Sequence, residues 1–151
     1  METEIIKTMD IIQVEVLKGA KAPYKKHKTD AGFDLFATED IEIYFGQVIK
    51  HPVNVKLHLP EGSWAEIKTK SGLGSRGLLV YAGVIDEGYR GIIHVVMSNI
   101  KQGDDPIVIK AGEKLAQMTM HPHHNGYKIE VVDKVSEDTE RAAGGFGSTG
   151  K

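Results

Sequence analysis

Gly83-Val84-Ile85-Asp86-Glu87-Gly88-Tyr89-Arg90-Gly91 separates two apolar runs. Gly91-Ile92-Ile93-His94-Val95-Val96-Met97 leads out of it, so the stretch reads as two strands joined by a turn. Asp and Gly tolerate the backbone angles that such a turn requires. The turn itself has no need of Tyr89. A carboxylate and an aromatic ring on rigid strand ends can act as a base and a flat contact surface. An acidic hairpin with a tyrosine packed on its neighbours explains the same residues, and the stretch alone does not separate the two readings.

The flanking chain supplies strand after strand. Ile11–Leu17 alternates, and Ala31–Ala37 places Phe33 and Leu35 on one face with Asp34 on the other. Ile41–Phe45, Gln47–Leu59 and Ser63–Lys70 carry further strands, the second interrupted by Pro52. Ser71-Gly72-Leu73-Gly74-Ser75-Arg76-Gly77 is too rich in glycine for a good strand and predicts a turn or one short helical turn. Asp104-Asp105-Pro106 breaks the chain before Ile107–Ile109, and Leu115–Met120 and Tyr127–Val132 complete the strands. No window carries the period of a long amphipathic helix. Short strands punctuated by Gly, Pro and Asp predict an all-β sandwich or barrel-like fold.

The length of 151 residues predicts a single domain over 1–151 with one core. A net charge of −2 gives no sign of a nucleic-acid binder, and a polyanionic ligand would need a locally basic site. The absence of cysteine excludes disulfides, thiolate nucleophiles and Cys-based zinc sites. The acidic start Met1-Glu2-Thr3-Glu4, with no long apolar run after it, argues against a secretory signal or membrane span and for a cytoplasmic location. From about residue 136 the chain turns polar and then Gly-rich, which predicts a mobile C-terminal arm.

That arm, Arg141-Ala142-Ala143-Gly144-Gly145-Phe146-Gly147-Ser148-Thr149-Gly150, offers backbone N–H groups and hydroxyls suited to phosphate oxygens. Arg141 adds a planar cationic fork, and Phe146 is an aromatic with no core of its own to join. Gly145 to Lys151 has the glycine–lysine spacing of a P-loop but shows neither the following Ser/Thr nor the helix, so a P-loop is not expected. Lys70-Ser71-Gly72 pairs a cation with a hydroxyl and bare backbone, a second phosphate-suited element. Gly112-Glu113-Lys114-Leu115-Ala116-Gln117-Met118 is a turn followed by a strand on which Gln117 can face a ligand. His121-Pro122-His123-His124 puts alternate imidazoles on one face; without a second cluster, a structural or solvent-exposed role is favoured over a metal site.

In this order the stretches resemble the five motifs of the trimeric dUTP pyrophosphatase (dUTPase) family. Ala31–Ala37 is similar to the first, Lys70–Leu73 to the second, Gly83–Gly91 to the third, Gly112–Met118 to the fourth and Arg141–Gly150 to the fifth. Two departures stand out. Lys70 occupies the usual arginine position before Ser-Gly, and Gly112-Glu113-Lys114 stands where the family has Gly-Asp-Arg. Both keep the sign of the charge and lose or shift its fork geometry.

The resemblance implies a distorted jelly-roll subunit, a homotrimer with shared sites, and hydrolysis of dUTP to dUMP and pyrophosphate with Mg²⁺ on the triphosphate. It implies that Asp86 orients and deprotonates the attacking water and that Gln117 contacts that water or the α-phosphate. Lys70, Ser71 and Gly72 would meet the phosphates, and Tyr89 the deoxyribose. Main-chain groups from Gly83, Val84 and Ile85 to His94 would read uracil. Phe146 would close over the base, with Arg141, Gly147 and Ser148 closing over the phosphates. Asp34 would support the site through metal-bound water or a neighbouring charge. The related dCTP deaminases place a Glu on the strand after the turn, and Ile93–Asn99 carries no carboxylate. A non-catalytic nucleotide-binding module is the other alternative, opposed by Asp86 together with the intact arm. A regulatory protein partner is not readable from the chain.

Overall fold

The computed structural model describes residues 10–148; Met1-Glu2-Thr3-Glu4 and Thr149-Gly150-Lys151 lie outside the described residues. Ten strands and one helical turn follow in order: β1 (Gln13–Val16), β2 (Gly32–Phe36), β3 (Ile41–Ile43), β4 (Val48–His58), β5 (Ser63–Lys68), α1 (Ser71–Gly74), β6 (Leu78–Tyr81), β7 (Val84–Ile85), β8 (Ile92–Asn99), β9 (Ile107–Ile109) and β10 (Lys114–Pro122). They form two four-stranded sheets, β1-β4-β8-β6 and β2-β10-β5-β7, with β3-β9 as a two-stranded third. Every named pairing is antiparallel. This is the all-β architecture expected from the strand pattern, in the jelly-roll-like form that the resemblance implies.

The period-two alternation explains why the sheets face one another. Along β4, Val53, Val55 and Leu57 are buried while Asn54 and Lys56 between them are half-exposed. Ile93, Val95 and Met97 of β8 repeat the pattern, and Ala65, Ile67 and Met118 answer from the second sheet in a single core cluster. Each large aliphatic side chain so buried contributes about 1.5–3 kcal/mol relative to exposure. Pro52 has no N–H for the ladder; beyond it the β4–β8 register shifts before Lys56, and Asn54 takes a φ of 53°. Among the described residues no helix is long and apolar enough to cross a membrane.

Two sequence expectations need correcting. Gly83–Gly91 does not join a paired hairpin: β7 pairs with β5, whereas β8 pairs with β4 and β6. The stretch is a corner that carries the chain from one sheet to the other. Gly83 permits the pairing with β5, because its backbone lies so close to Ile67 that an added Cβ would collide with the Ile67 carbonyl oxygen. The second correction concerns Tyr127–Val132, which forms no strand. Tyr127, Ile129 and Val131 are 82%, 92% and 93% exposed, and a strand without a neighbour leaves its backbone groups to water.

Candidate active site

The corner builds the first half of the site. A cleft of about 250 Å³ opens between the sheets, walled by Ile67, Ala82, Val84 and Ile85 on one side and by Ile92, His94 and Val96 on the other. Lys50 of β4 reaches its rim, a residue that nothing in its strand sequence singles out. Ala82 adopts a φ of 48°, a left-handed conformation that is unfavourable for a residue with a Cβ, just before the close contact at Gly83. Asp86 and Tyr89 line the same cleft. The Tyr89 hydroxyl donates to the Ile92 carbonyl at 3.0 Å, and Nδ1 of His94 donates to that carbonyl at 3.0 Å. These bonds fix the tyrosine against Gly91, where an added Cβ would lie 2.5 Å from the hydroxyl oxygen.

The second half lies across the β2-β10-β5 surface. Asp34 is buried and opposite Gln117 in the ladder. Lys70 forms a hydrogen-bonded ion pair with its Oδ1, and Lys114 lies 3.3 Å from its Oδ2. Burial pushes the Asp34 carboxyl up; the hydrogen bonds and charges of Lys70 and Lys114 outweigh this and hold it below the ordinary range. Asp34 is therefore engaged by two lysines, Lys70 before α1 and Lys114 at the start of β10. Gln117 Nε2 donates to the Thr69 carbonyl at 3.1 Å, immediately before Lys70 and Ser71. Gly32 leaves room for this glutamine, since a Cβ there would fall 2.7 Å from Gln117 Oε1. Ser71 and Gly72 open α1 and are exposed, as the expectation of one short helical turn requires.

These halves do not meet within one chain. Ile85 pairs with Ala65, so Asp86 falls near the level of Trp64, while Gln117 pairs with Lys68. Four residues along β5 and two strand spacings across give a backbone separation of about 16 Å. The arm forms a third, separate element. Arg141 Nε donates to the Gly144 carbonyl at 2.7 Å and Ser148 Oγ accepts the Gly145 N–H at 2.7 Å. Phe146, with a φ of 51°, is fully exposed, and Gly147 is exposed beside it. The histidines of His121–His124 are engaged separately: Nε2 of His121 lies 2.8 Å from the Thr119 hydroxyl and 3.3 Å from Glu66, and its ring stacks on Trp64. Nε2 of His123 meets Glu87. Among the described residues no three His, Cys, Asp or Glu side chains gather as a metal cage.

A β-sandwich with a cleft at the corner between its two four-stranded sheets, an exposed carboxylate at the cleft mouth and a lysine–aspartate cluster elsewhere defines the class: a jelly-roll-like all-β protein. The dUTPase family model matches residues 18–150. A deoxyuridine 5'-triphosphate nucleotidohydrolase of Clostridium kluyveri is 39% identical over 145 residues, covering 94% of this chain and 99% of that protein. The Pol polyprotein of an ovine maedi visna related virus is 41% identical over 127 residues, 83% of this chain and 11% of the polyprotein. Among solved structures, the Staphylococcus bacteriophage 80alpha dUTPase with dUpNHpp superposes with a TM-score of 0.81 at 26% identity, covering 93% of this chain and 99% of that one. The EIAV dUTPase gives 0.70 at 31% identity, covering 83% and 100%. A dUTPase mutant from phage phi11 of S. aureus, described for coordination of a structural Mg(II) ion, gives 0.71 at 25% identity over 82% and 97%. The chain belongs to the dUTPase family.

Proposed function

We propose that this protein hydrolyses dUTP to dUMP and pyrophosphate, as a single-domain subunit of a homotrimer whose sites are assembled between chains. The observation that carries the reading is the corner cleft with Asp86 at its mouth and Tyr89 fixed on Gly91. Uracil enters the cleft and is read by main-chain groups of Gly83, Val84, Ile85 and the His94 strand, in a slot that excludes thymine's methyl group. The Tyr89 ring lies against the deoxyribose, where a 2′-hydroxyl would collide.

Water attacks the α-phosphorus; its proton passes to Asp86 as the bond to the bridging oxygen breaks and pyrophosphate leaves. Asp86 acts chiefly by holding the water in line. The roughly 16 Å between Asp86 and Gln117 supports sharing, because neither side chain spans it. One chain supplies the corner, a neighbour supplies Lys70, Ser71, Gly72 and Gln117 to the phosphates and water, and an arm brings Phe146 over the base with Arg141, Gly147 and Ser148 on the phosphates. The arm from about residue 136 is mobile until substrate orders it. Lys70 and Lys114 meet phosphate as point charges held in place by Asp34.

Mg²⁺ fits this donor set without a protein cage, since it binds phosphate oxygens and keeps several waters. When bound, it supplies charge neutralisation on the triphosphate. Asp34, engaged by two lysines, serves as a charge anchor in this arrangement. The test is pyrophosphate release with Mg²⁺ from dUTP, dCTP, dTTP and UTP, with Asp86→Asn as control. Turnover of dUTP alone, lost in the variant, is expected; ammonia from dCTP, or tight dUTP binding without turnover, overturns the reading.

A further inference from the structure

Glu87 follows Asp86 directly, yet the reaction as described gives it no part. Its carboxylate joins three segments that are distant in sequence. Oε1 accepts the Gly62 N–H at 2.6 Å and meets His123 Nε2 at 2.9 Å. The triangle closes on itself, because the His123 N–H donates to the Gly62 carbonyl at 2.9 Å. Gly62, with a φ of 81°, belongs to the turn between β4 and β5, and His123 is the residue after β10. The Gly62 N–H and then the His123 ring hold the Glu87 carboxyl below the ordinary range, which marks the carboxylate as engaged.

Among the described residues no hydrogen bond engages the Asp86 carboxylate, whereas the backbone on either side of it is held. On one side that backbone is the β7 ladder, with Ile85 opposite Ala65. On the other it is Glu87, whose carbonyl also accepts Arg90 Nη1 at 2.7 Å, while the Asp86 carbonyl closes the turn by accepting the Tyr89 N–H at 3.1 Å. Trp64, Val84 and Asn125 wall the shallow pocket in which Asp86, Glu87 and His123 lie.

We propose that Glu87 is a positioning residue for the reaction at Asp86, acting by tying the catalytic turn to Gly62 and His123. The inference rests on the dUTP reading above. It assigns a purpose to His123, which the sequence presents only as one of a run of histidines. A clamp that merely stabilised the fold would change melting and leave turnover per folded site intact; a positioning clamp changes kcat.

The experiment compares full-length wild type, Glu87→Ala, Glu87→Gln, His123→Ala and the Glu87→Ala/His123→Ala double variant. For each, kcat and KM for dUTP, the Kd of dUpNHpp and the melting temperature are measured. Glu87→Ala is expected to lose about 10- to 100-fold in kcat, the scale of a misplaced reacting group, with Kd for dUpNHpp nearly unchanged. His123→Ala loses less, and the double variant falls no further than Glu87→Ala by more than about twofold, since both residues act through one contact. Glu87→Gln, which keeps an acceptor oxygen, recovers most of the lost kcat. A Glu87→Ala protein with wild-type kcat, a loss confined to Kd or melting, or multiplicative losses in the double variant overturns the inference. If Glu87→Ala does not fold, His123→Ala and Glu87→Gln decide: wild-type kcat in the former, or no advantage of the latter over the former, overturns it. Wild-type protein that does not turn over dUTP overturns the parent reading and this one together, whereas an active wild type with an unaffected Glu87→Ala overturns this one alone.

Discussion

Gly83→Ala tests whether the cleft is built by a backbone contact. The added Cβ would lie 2.3 Å from the Ile67 carbonyl oxygen and 3.3 Å from the Ile67 carbonyl carbon and amide nitrogen. All three atoms are backbone in a buried part of β5, so no flexible side chain can yield. Relief requires the corner to move off β5 by several tenths of an ångström or more, and the Ile67 N–H to Gly83 carbonyl bond, 2.7 Å long, lies directly in that path. Overpacking costs about 1–3 kcal/mol and the weakened hydrogen bond about 1 more, so destabilisation of roughly 2–4 kcal/mol is expected. For a chain of this size that corresponds to a melting temperature lower by about 5–15 °C. The displaced strand also carries Val84 and Ile85, the wall of the cleft, so dUTP turnover should fall by more than the loss of folded protein. Differential scanning calorimetry and pyrophosphate release on the same samples measure both. A variant that melts and turns over like wild type would refute the argument that this glycine sets the cleft.

Other consequences follow from the same geometry. His51 is 2% exposed, and its Nε2 accepts the Thr38 N–H at 3.1 Å, so the folded protein holds the ring neutral. Burial, with a smaller push from His94, lowers its pKa against the opposing pull of Glu39. The unfolded chain therefore binds this proton first: the contribution is whole above about pH 6.5 and is lost as pH falls below it. Urea unfolding at about pH 7.5 and 5.5 should show this loss, and His51→Asn should flatten it; an unchanged slope in the variant would contradict the assignment. Removing residues 141–151 should leave the melting temperature nearly unchanged, since Phe146 packs on nothing, yet cut turnover at least about tenfold through lost closure over substrate. Normal turnover after truncation would remove the arm from the site.

Much of the fold was legible because period-two alternation is a local signal. β4 and β8 announce their buried faces in Val53-Asn54-Val55-Lys56-Leu57 and Ile93-His94-Val95-Val96-Met97, and the glycine-rich Ser71–Gly77 announces a break. Pairing is not local. The apolar runs around Gly83–Gly91 read as a hairpin, yet the contact of Gly83 with Ile67, sixteen positions back in the chain, assigns β7 to the other sheet. Tyr127–Val132 has the composition of a strand, and composition does not supply a neighbour. In the site, Tyr89 stands out as a residue the turn does not need, and Asp86 as a carboxylate beside it on a rigid strand end. Glu87 carries no such mark because its partners Gly62 and His123 lie 25 and 36 residues away, and the motif position of Lys114 does not show its partner Asp34, reached only across β2 and β10.

Assembly of the site between chains is the claim on which the rest depends, and complementation tests it most directly. Asp86→Asn and the chain lacking residues 141–151 are each expected to be nearly inactive in dUTP hydrolysis. Unfolded together at equal amounts and refolded, they should form mixed trimers in which some sites combine an intact Asp86 from one chain with an intact arm from another. Random assortment places both in about one quarter of sites, so activity should return to roughly that fraction of wild type. Mixed trimers that form and remain as inactive as either parent would contradict a site shared between chains.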